Sequence, residues 1–272
     1  QSHGFNGLHG RMPSMATGAV MANRTLTALG ISGDGDAMSI GLGQYIHMIR
    51  RNVPVIFIVE NNGVYGLTKG QFSATADLNQ ELKYAGRNDL PPIDVCHEAL
   101  VADCGFIGRS FAGDPRQVEA LLKAAISHRG TAILDIISPC VTFNDHDDST
   151  KSYAWGKAHE EVISDFGFVP AQEEITVDYD PGTTADVTMH DGSHVRLRKL
   201  DSKHDPRNRD AAMKVLEEAH LKQEFITGLI YINEERPALT ELERLPETPL
   251  AFLPPDKTRP SREALAKVMR EL

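Results

Sequence analysis

The chain has 272 residues, of which 41% are hydrophobic and 24% are charged, and its formal net charge is −10. The sequence lacks the clustered Lys and Arg residues that a nucleic-acid interface requires, and it lacks the run of about 18 apolar residues that spans a bilayer. Composition therefore argues against nucleic-acid and membrane partners, and it predicts a globular protein with one substantial core.

The first half of the chain alternates between helical and strand patterns. The predicted elements are a helix over 13–23, a strand over 26–31, a helix over 37–51, a strand over 53–59, a helix over 93–103, a strand over 106–110, a helix from Asp114 and a strand over 132–137. This alternation predicts an α/β fold with a mostly parallel sheet and helices on both faces. Ligands of such sheets bind at the carboxyl ends of the strands.

The second half of the chain is more polar, so we expect a main domain over residues 1–150 and a C-terminal extension over residues 151–272. The extension is predicted to contain a hairpin around Asp191-Gly192, a helix over 209–221 and an irregular arm over 237–260, which holds six prolines. The arm is either a surface tail or a segment that packs on a partner subunit. The second alternative is favoured by apolar side chains that are costly to expose, namely Phe225, Ile226, Leu229, Ile230, Tyr231 and Phe252.

The three cysteines, Cys96, Cys104 and Cys140, are an odd number. This predicts a reducing compartment and a cytoplasmic protein. Cys96 and Cys104 lie in a stretch with helical apolar spacing, so we expect them to be buried thiols. The chain begins at Gln1 in loop-like residues, and we expect it to be the remainder of a longer polypeptide.

One motif carries most of the functional information. Gly33-Asp34-Gly35 is followed by 25 residues and then by Asn61-Asn62, a pattern that resembles the signature of thiamine-diphosphate enzymes. A diphosphate needs Mg²⁺ to neutralise its charge, and Mg²⁺ prefers hard oxygen ligands in an octahedral arrangement. The carboxylate of Asp34 and the amide oxygen of Asn62 are such ligands.

The same resemblance implies the thiamine-diphosphate-binding fold and further contacts in the site. The carbonyl of Val64 would be the third protein ligand of Mg²⁺. Gly33, Gly35 and the amide of Asp36 would face the phosphates at the start of a helix, where the dipole favours anions. Asp36 also has an alternative, purely structural interpretation, because its charge beside a diphosphate is unfavourable unless it is paired.

Four segments together resemble the β subunit of 2-oxoacid:ferredoxin oxidoreductases: His9-Gly-Arg11, the Gly-Asp-Gly-Asp motif, the loop from Asn61 to Gln71, and the segment 138–145. This resemblance extends over about the first 150 residues. It implies oxidative decarboxylation of a 2-oxoacid, with electrons passing to ferredoxin and the acyl group to coenzyme A. It adds His9, Asn61, Tyr65 and Thr68 to the cofactor-binding residues, although His9 and Arg11 have packing as an alternative.

The resemblance also implies partners and a second cofactor. The glutamate that activates the aminopyrimidine ring belongs to the α subunit in this family, so we expect this chain to be inactive alone. Cys140 matches the last of four ligands of a [4Fe–4S] cluster, and the other three are expected upstream of Gln1. The acidic segment 145–148 is interpreted as a solvated loop rather than as a metal site.

Lys69 and Leu67 lie in the loop where the family reads the tail of the substrate. An ammonium at Lys69 would pair with the distal carboxylate of a dicarboxylic substrate, which predicts 2-oxoglutarate over pyruvate. The alternatives are a solvated loop lysine, an oxidoreductase for pyruvate or branched-chain 2-oxoacids, a non-redox thiamine-dependent decarboxylase, and a cofactor-binding scaffold whose catalysis lies in a partner.

Overall fold

A computed structural model describes residues 3–68, 70–82, 85–138, 175–188 and 194–271. The strands are β1 (Ala28–Gly33), β2 (Val55–Asn61), β3 (Val64–Tyr65), β4 (Gln71–Phe72), β5 (Glu81–Leu82), β6 (Gly86–Arg87), β7 (Phe106–Phe111), β8 (Ala132–Ile137), β9 (Thr184–Thr188), β10 (His194–Lys199) and β11 (Phe225–Ile232). The helices are α1 (Met12–Ala22), α2 (Leu42–Arg50), α3 (Val95–Val101), α4 (Pro115–Ser127), α5 (Arg209–Lys222), α6 (Leu239–Leu242), α7 (Pro255–Thr258) and α8 (Arg262–Glu271). A π-helical turn spans Gly35–Ile40, and a 3₁₀ turn spans Leu250–Phe252.

Seven of these strands form one sheet in the order β1-β2-β8-β7-β11-β10-β9. The first four run parallel to one another, and β10 runs parallel to β11. The pairs β7–β11 and β9–β10 are antiparallel. The predicted mostly parallel sheet is therefore confirmed.

The side chains of strand β2 show why helices cover both faces of the sheet. Its residues alternate, so Phe57 packs in a large cluster with side chains of α1, α2, α3 and α5. The neighbouring Ile56 packs on the opposite face with Leu121 of α4. Burial of one such large apolar side chain contributes about 1.5–3 kcal/mol to folding, which is why this strand has almost no polar residues.

Tertiary contacts change the predicted helix over 37–51. The structure has the π-helical turn Gly35–Ile40, then Gly41, then α2. A Cβ atom on Gly41 would lie 2.8 Å from the carbonyl oxygen of Asp36 and 3.0 Å from the Cα of Gly10. Gly10 itself has a φ of +71°. The two glycines therefore let the N-terminal segment lie directly on the turn that follows β1.

The strands and helix predicted for the extension are present, but the interpretation of its apolar residues is wrong. Strands β9 and β10 pair antiparallel with Val187 opposite Val195, and the turn at 189–193 lies outside the described residues. Phe225, Ile226, Leu229, Ile230 and Tyr231 belong to β11, which inserts into the sheet beside β7. These side chains pack inside the chain and need no partner subunit. The division at residue 150 stays a prediction.

The proline-rich arm is more regular than expected. It contains α6, the 3₁₀ turn and α7, because a proline suits the first turn of a helix, where its missing N–H has no partner to lose. Pro255 occupies this position in α7. Phe252 is 77% exposed and α8 has no buried residue, so packing of the arm on a partner stays a prediction. Across the described ranges, no helix is long and apolar enough to cross a bilayer.

Candidate cofactor site

The loops that follow β1, β2 and β8, which the sequence predicts to form the site, begin at one edge of the sheet. β1, β2 and β8 are parallel neighbours, with Gly33 opposite Glu60 and Asn61 opposite Ile137. The chain therefore leaves all three strands on the same side, as predicted. Cys140 follows β8 but lies outside the described residues.

Asp34 follows β1 directly and is only 1% exposed. Its Oδ2 accepts a hydrogen bond of 2.9 Å from the backbone N–H of Gly63, and it accepts hydroxyl hydrogen bonds from Ser73 and Thr75. Among the described residues, no hydrogen bond reaches Oδ1. The carboxylate is thus held by one oxygen, and the other remains for a cation, which fits a ligand of Mg²⁺.

Asn62 and Val64 lie in the loop that follows β2. The Oδ1 of Asn62 accepts a hydrogen bond of 3.0 Å from the N–H of Val64, and an amide oxygen has a second lone pair for a metal. Val64 opens the short β3–β4 hairpin, in which it pairs with Phe72. The bond from Gly63 to Asp34 ties this loop to β1. The roles of Asn62 and Val64 as ligands stay predictions.

The two glycines of the motif have different surroundings. A Cβ atom on Gly33 would meet nothing within 4 Å, whereas one on Gly35 would lie 2.5 Å from the ring of Tyr65. The hydroxyl of Tyr65 donates a hydrogen bond of 3.0 Å to the carbonyl of Gly35. Gly35 therefore allows Tyr65 to pack on the turn, and Gly33 leaves open space at the end of β1.

The carboxylate of Asp36 faces the N-terminal segment. Its Oδ1 lies 2.7 Å from Nδ1 of His9 and accepts a hydrogen bond of 2.7 Å from the N–H of Gly10. Its Oδ2 accepts the hydroxyl of Ser32. These contacts engage both oxygens of Asp36, and they leave its backbone amide as the group predicted to face phosphates. Arg11 is exposed at the start of α1.

Asn61 contacts protein side chains at both ends of its amide. It is buried, its Nδ2 donates a hydrogen bond of 3.1 Å to Oδ1 of Asp135, and its Oδ1 lies 3.0 Å from the hydroxyl oxygen of Thr75. Both ends of the amide are therefore bound by protein groups. This geometry places Asn61 beneath the site as a support, and its contact with a cofactor stays a prediction.

A buried ionic cluster lies below Asn61, and the sequence analysis missed it. Nε of Arg109 lies 2.7 Å from Oδ2 of Asp135, and Nη2 lies 2.8 Å from Oδ1 of Asp94. Burial raises the pKa of Asp135, and Arg109 opposes this only in part. Burial also pushes up the pKa of Asp94, but Arg109 and the N–H of His97 outweigh it, and the pKa is lowered. One guanidinium thus compensates two carboxylates.

The predicted substrate loop is only partly described. Leu67 is 96% exposed. Thr68 shares two hydrogen bonds with Gln71, one through its hydroxyl and one through its carbonyl. Lys69 lies outside the described residues. The predictions for Lys69, Leu67 and Thr68 therefore stay predictions.

The buried thiols are confirmed. Cys96 and Cys104 are both fully buried. Burial raises the pKa of Cys104 to about 12 and that of Cys96 well above its usual value. Both thiols are therefore protonated and unreactive at neutral pH. Over the described part of the chain, no group of three or more His, Cys, Asp or Glu residues could hold a metal ion. The acidic segment 145–148 lies outside it.

Comparison with known protein families shows to which family this chain belongs. The family model "Thiamine pyrophosphate enzyme, C-terminal TPP binding domain" matches residues 1–136, which is half of the 272 residues. The chain belongs to the thiamine pyrophosphate enzymes. A second model, which describes the C-terminal part of the pyruvate ferredoxin oxidoreductase beta subunit, matches residues 194–247 of this thiamine pyrophosphate enzyme.

Curated relatives of this thiamine pyrophosphate enzyme carry more specific names. It is 40% identical over 146 residues to the 2-oxoglutarate oxidoreductase subunit KorB of Mycobacterium tuberculosis, covering 53% of this chain and 39% of that one. It is also 40% identical over 146 residues to the 2-oxoacid:ferredoxin oxidoreductase subunit beta of Saccharolobus solfataricus, covering 52% and 47%. The chain thus spans about two fifths to one half of these relatives. The predicted resemblance is confirmed.

One solved structure matches most of the chain. The 2-oxoglutarate:ferredoxin oxidoreductase from Magnetococcus marinus superposes with a TM-score of 0.64 at 26% identity, over 88% of this chain and 67% of that chain. The likeness therefore extends beyond the half of the chain that the thiamine pyrophosphate enzyme model matches.

Proposed function

We propose that this chain is the β subunit of a 2-oxoglutarate:ferredoxin oxidoreductase. The complex would convert 2-oxoglutarate and coenzyme A to succinyl-CoA, CO₂ and reduced ferredoxin, or carry out the reverse carboxylation. The observation that carries the proposal is the setting of Asp34, whose carboxylate is fixed through one oxygen at the edge where the loop of Asn62 also opens. The names of the relatives support the substrate class.

The residues present fit Mg²⁺ and a diphosphate. Asp34 and Asn62 supply hard oxygen atoms, the carbonyl of Val64 supplies a third, and the amides after Gly33 begin a helical turn where anions are favoured. Bound thiamine diphosphate supplies the thiazolium chemistry that removes CO₂ from a 2-oxoacid. The chain contributes position, because the Gly63 N–H and two hydroxyls hold Asp34 in one orientation.

The remaining parts of the proposed enzyme come from outside the described residues. We place the pyrimidine-activating glutamate on an α subunit, and we assign Cys140 as one ligand of a [4Fe–4S] cluster that passes electrons to ferredoxin. The complex is proposed to act in the cytoplasm. The glutamate and the cluster follow from the family resemblance, and the compartment follows from the odd number of cysteines.

Viologen reduction by the assembled complex tests the proposed function. We expect methyl viologen to be reduced under anaerobic conditions only when both 2-oxoglutarate and coenzyme A are present, because the acyl group must be transferred for turnover. Formation of CO₂ without viologen reduction would instead indicate a non-redox decarboxylase. Electron paramagnetic resonance before and after the two substrates are added would report the cluster.

Substitution of Lys69 tests the choice of substrate. We expect Lys69→Ala to lower kcat/KM for 2-oxoglutarate by roughly ten- to hundred-fold, the equivalent of one charge-assisted hydrogen bond, and to leave kcat/KM for pyruvate nearly unchanged. Lys123→Ala on α4 is the control, since Lys123 is exposed and pairs with Glu119 on its own helix. Equal effects on both substrates would refute the role of Lys69 in the choice of substrate. A wild-type kcat/KM for pyruvate that matches or exceeds the value for 2-oxoglutarate would favour a pyruvate enzyme, the second candidate suggested by the match at 194–247.

A further inference from the structure

A network of close polar contacts connects the predicted metal ligand to the interior of the sheet. It begins at Oδ2 of Asp34, passes through the hydroxyl of Thr75 to Asn61, and continues from Asn61 to Asp135 and Arg109. Its members come from the loop after β1, the loop after β4, and strands β2, β8 and β7. The contact between Asp34 and the core is therefore built from five separate parts of the chain.

Thr75 is the branch point of this network of contacts. It is 9% exposed, and its oxygen contacts Asp34, Asn61 at 3.0 Å and Ser73 at 2.9 Å. A hydroxyl has one proton and two lone pairs, so Thr75 donates to one of these oxygens at a time. An ionised carboxylate is the stronger acceptor. The hydroxyl of Thr75 therefore donates to Asp34 and orients it. Oδ1 of Asn61 is the competing acceptor, and it lies 3.0 Å from the same hydroxyl oxygen.

The contacts of Asp135 and Arg109, at the end of this network away from Asp34, explain why Asn61 is fixed. The Nδ2 of Asn61 donates to Asp135, a fully buried carboxylate that is held at 2.7 Å by Arg109. Arg109 is itself held by Asp94, the N-cap of α3. Asn61 therefore cannot rotate without breaking a charge-assisted contact in the core, and it presents a fixed surface to the side chain of Thr75.

We propose that Thr75 is a positioning residue of the metal site: its hydroxyl donates to Oδ2 of Asp34 and holds the carboxylate so that Oδ1 faces the cation. Asn61, which is fixed by Asp135 and Arg109, packs against the Thr75 hydroxyl and confines its position. The inference rests on the proposed function, because it presumes a cation at Asp34. It goes further in assigning a task to residues that do not touch the cation.

The test compares Thr75→Val with Thr75→Ser in the assembled complex. Valine keeps the shape of threonine and removes the hydroxyl, whereas serine keeps the hydroxyl. With Mn²⁺ as the probe and saturating thiamine diphosphate, free Mn²⁺ is measured by electron paramagnetic resonance. We expect Thr75→Val to raise the Kd for Mn²⁺ by roughly ten- to hundred-fold and Thr75→Ser to restore it to near the wild-type value. Thr25→Val, at an exposed position, is the matched control.

The outcomes separate this inference from the proposed function. Wild-type binding of Mn²⁺ with an unchanged Kd in Thr75→Val would overturn the inference alone, even if the melting temperature fell. A wild-type complex that does not bind Mn²⁺ with thiamine diphosphate would overturn both. If the valine variant does not assemble, Thr75→Ala removes the same hydroxyl without adding volume, and the same criteria apply.

Discussion

Replacement of Asp34 by alanine is expected to abolish metal-dependent binding of thiamine diphosphate and, with it, all turnover of 2-oxoacids. The variant removes a negative ligand from the cation, so we expect affinity for the cofactor to fall by more than about a hundred-fold, beyond the range seen when only a supporting group of a metal site is removed. Equilibrium dialysis of the complex with thiamine diphosphate, with and without Mg²⁺, measures this directly.

The control for Asp34→Ala is Asp89→Ala. Asp89 is also an aspartate, but its side chain is 86% exposed and lies in a loop, so we expect wild-type cofactor binding. Because Asp34 accepts hydrogen bonds from Gly63, Ser73 and Thr75, folding of the variant must be confirmed by circular dichroism. A folded Asp34→Ala complex that retains activity would refute the metal assignment and favour a scaffold whose catalysis lies in its partner.

Among the substitutions proposed here, replacement of Arg109 by methionine is expected to cause the largest loss in the free energy of unfolding. The guanidinium is 2% exposed and pairs with two carboxylates, Asp94 and Asp135. Removal of one partner from a buried ion pair leaves an uncompensated charge and costs about 3–5 kcal/mol. Equilibrium urea denaturation of the protein near pH 7.5 would measure this difference. Arg196→Met is the control, since the Arg196–Asp186 pair is solvent-exposed and we expect little change.

The deficit of Arg109→Met should depend on pH. Burial already raises the pKa of Asp135, and loss of Arg109 raises it further. A carboxyl group whose pKa is higher in the folded state destabilises the protein when it is ionised. Its cost grows as the pH rises from the unfolded value, about 3.9, to the folded value. Because the pKa is already raised in the wild type, the deficit of the variant should shrink as the pH falls from the folded pKa of Asp135 in the variant to its folded pKa in the wild type. A pH-independent deficit would indicate lost packing rather than an unpaired charge.

Local signals predicted much of the fold correctly. Strand β8 has the predicted bounds because its six mostly apolar residues lie between two clear breaks in the pattern. Helix α4 begins at Asp114-Pro115 because an N-cap residue and a first-turn proline specify its start. The helix after Asp34 was predicted less well. Its π-helical turn and the break at Gly41 depend on contact with Gly10, which is distant in sequence and carries no periodic signal.

In the candidate site too, local signals predicted some residues, and residues defined by long-range contacts were missed. Asp34 and Asn62 were predicted as site residues because their spacing matches a known motif. Thr75, Asp135 and Arg109 were not, because the contacts that define them connect segments far apart in the chain. One local signal was available. A charged residue within the otherwise apolar strands β7 and β8 is rarely buried without a partner, so Arg109 and Asp135 could have been paired from the sequence.

The position of β11 has a consequence for how this protein can be divided. The match to the thiamine pyrophosphate enzymes ends at residue 136, yet the outer side of β7 is covered by β11. Every residue of β7 is buried in the whole chain. A fragment cut after β8 would expose the hydrogen-bonding edge of an apolar strand, which is a template for aggregation. The cofactor-binding half thus depends on residues 225–232 for its solubility as well as its shape.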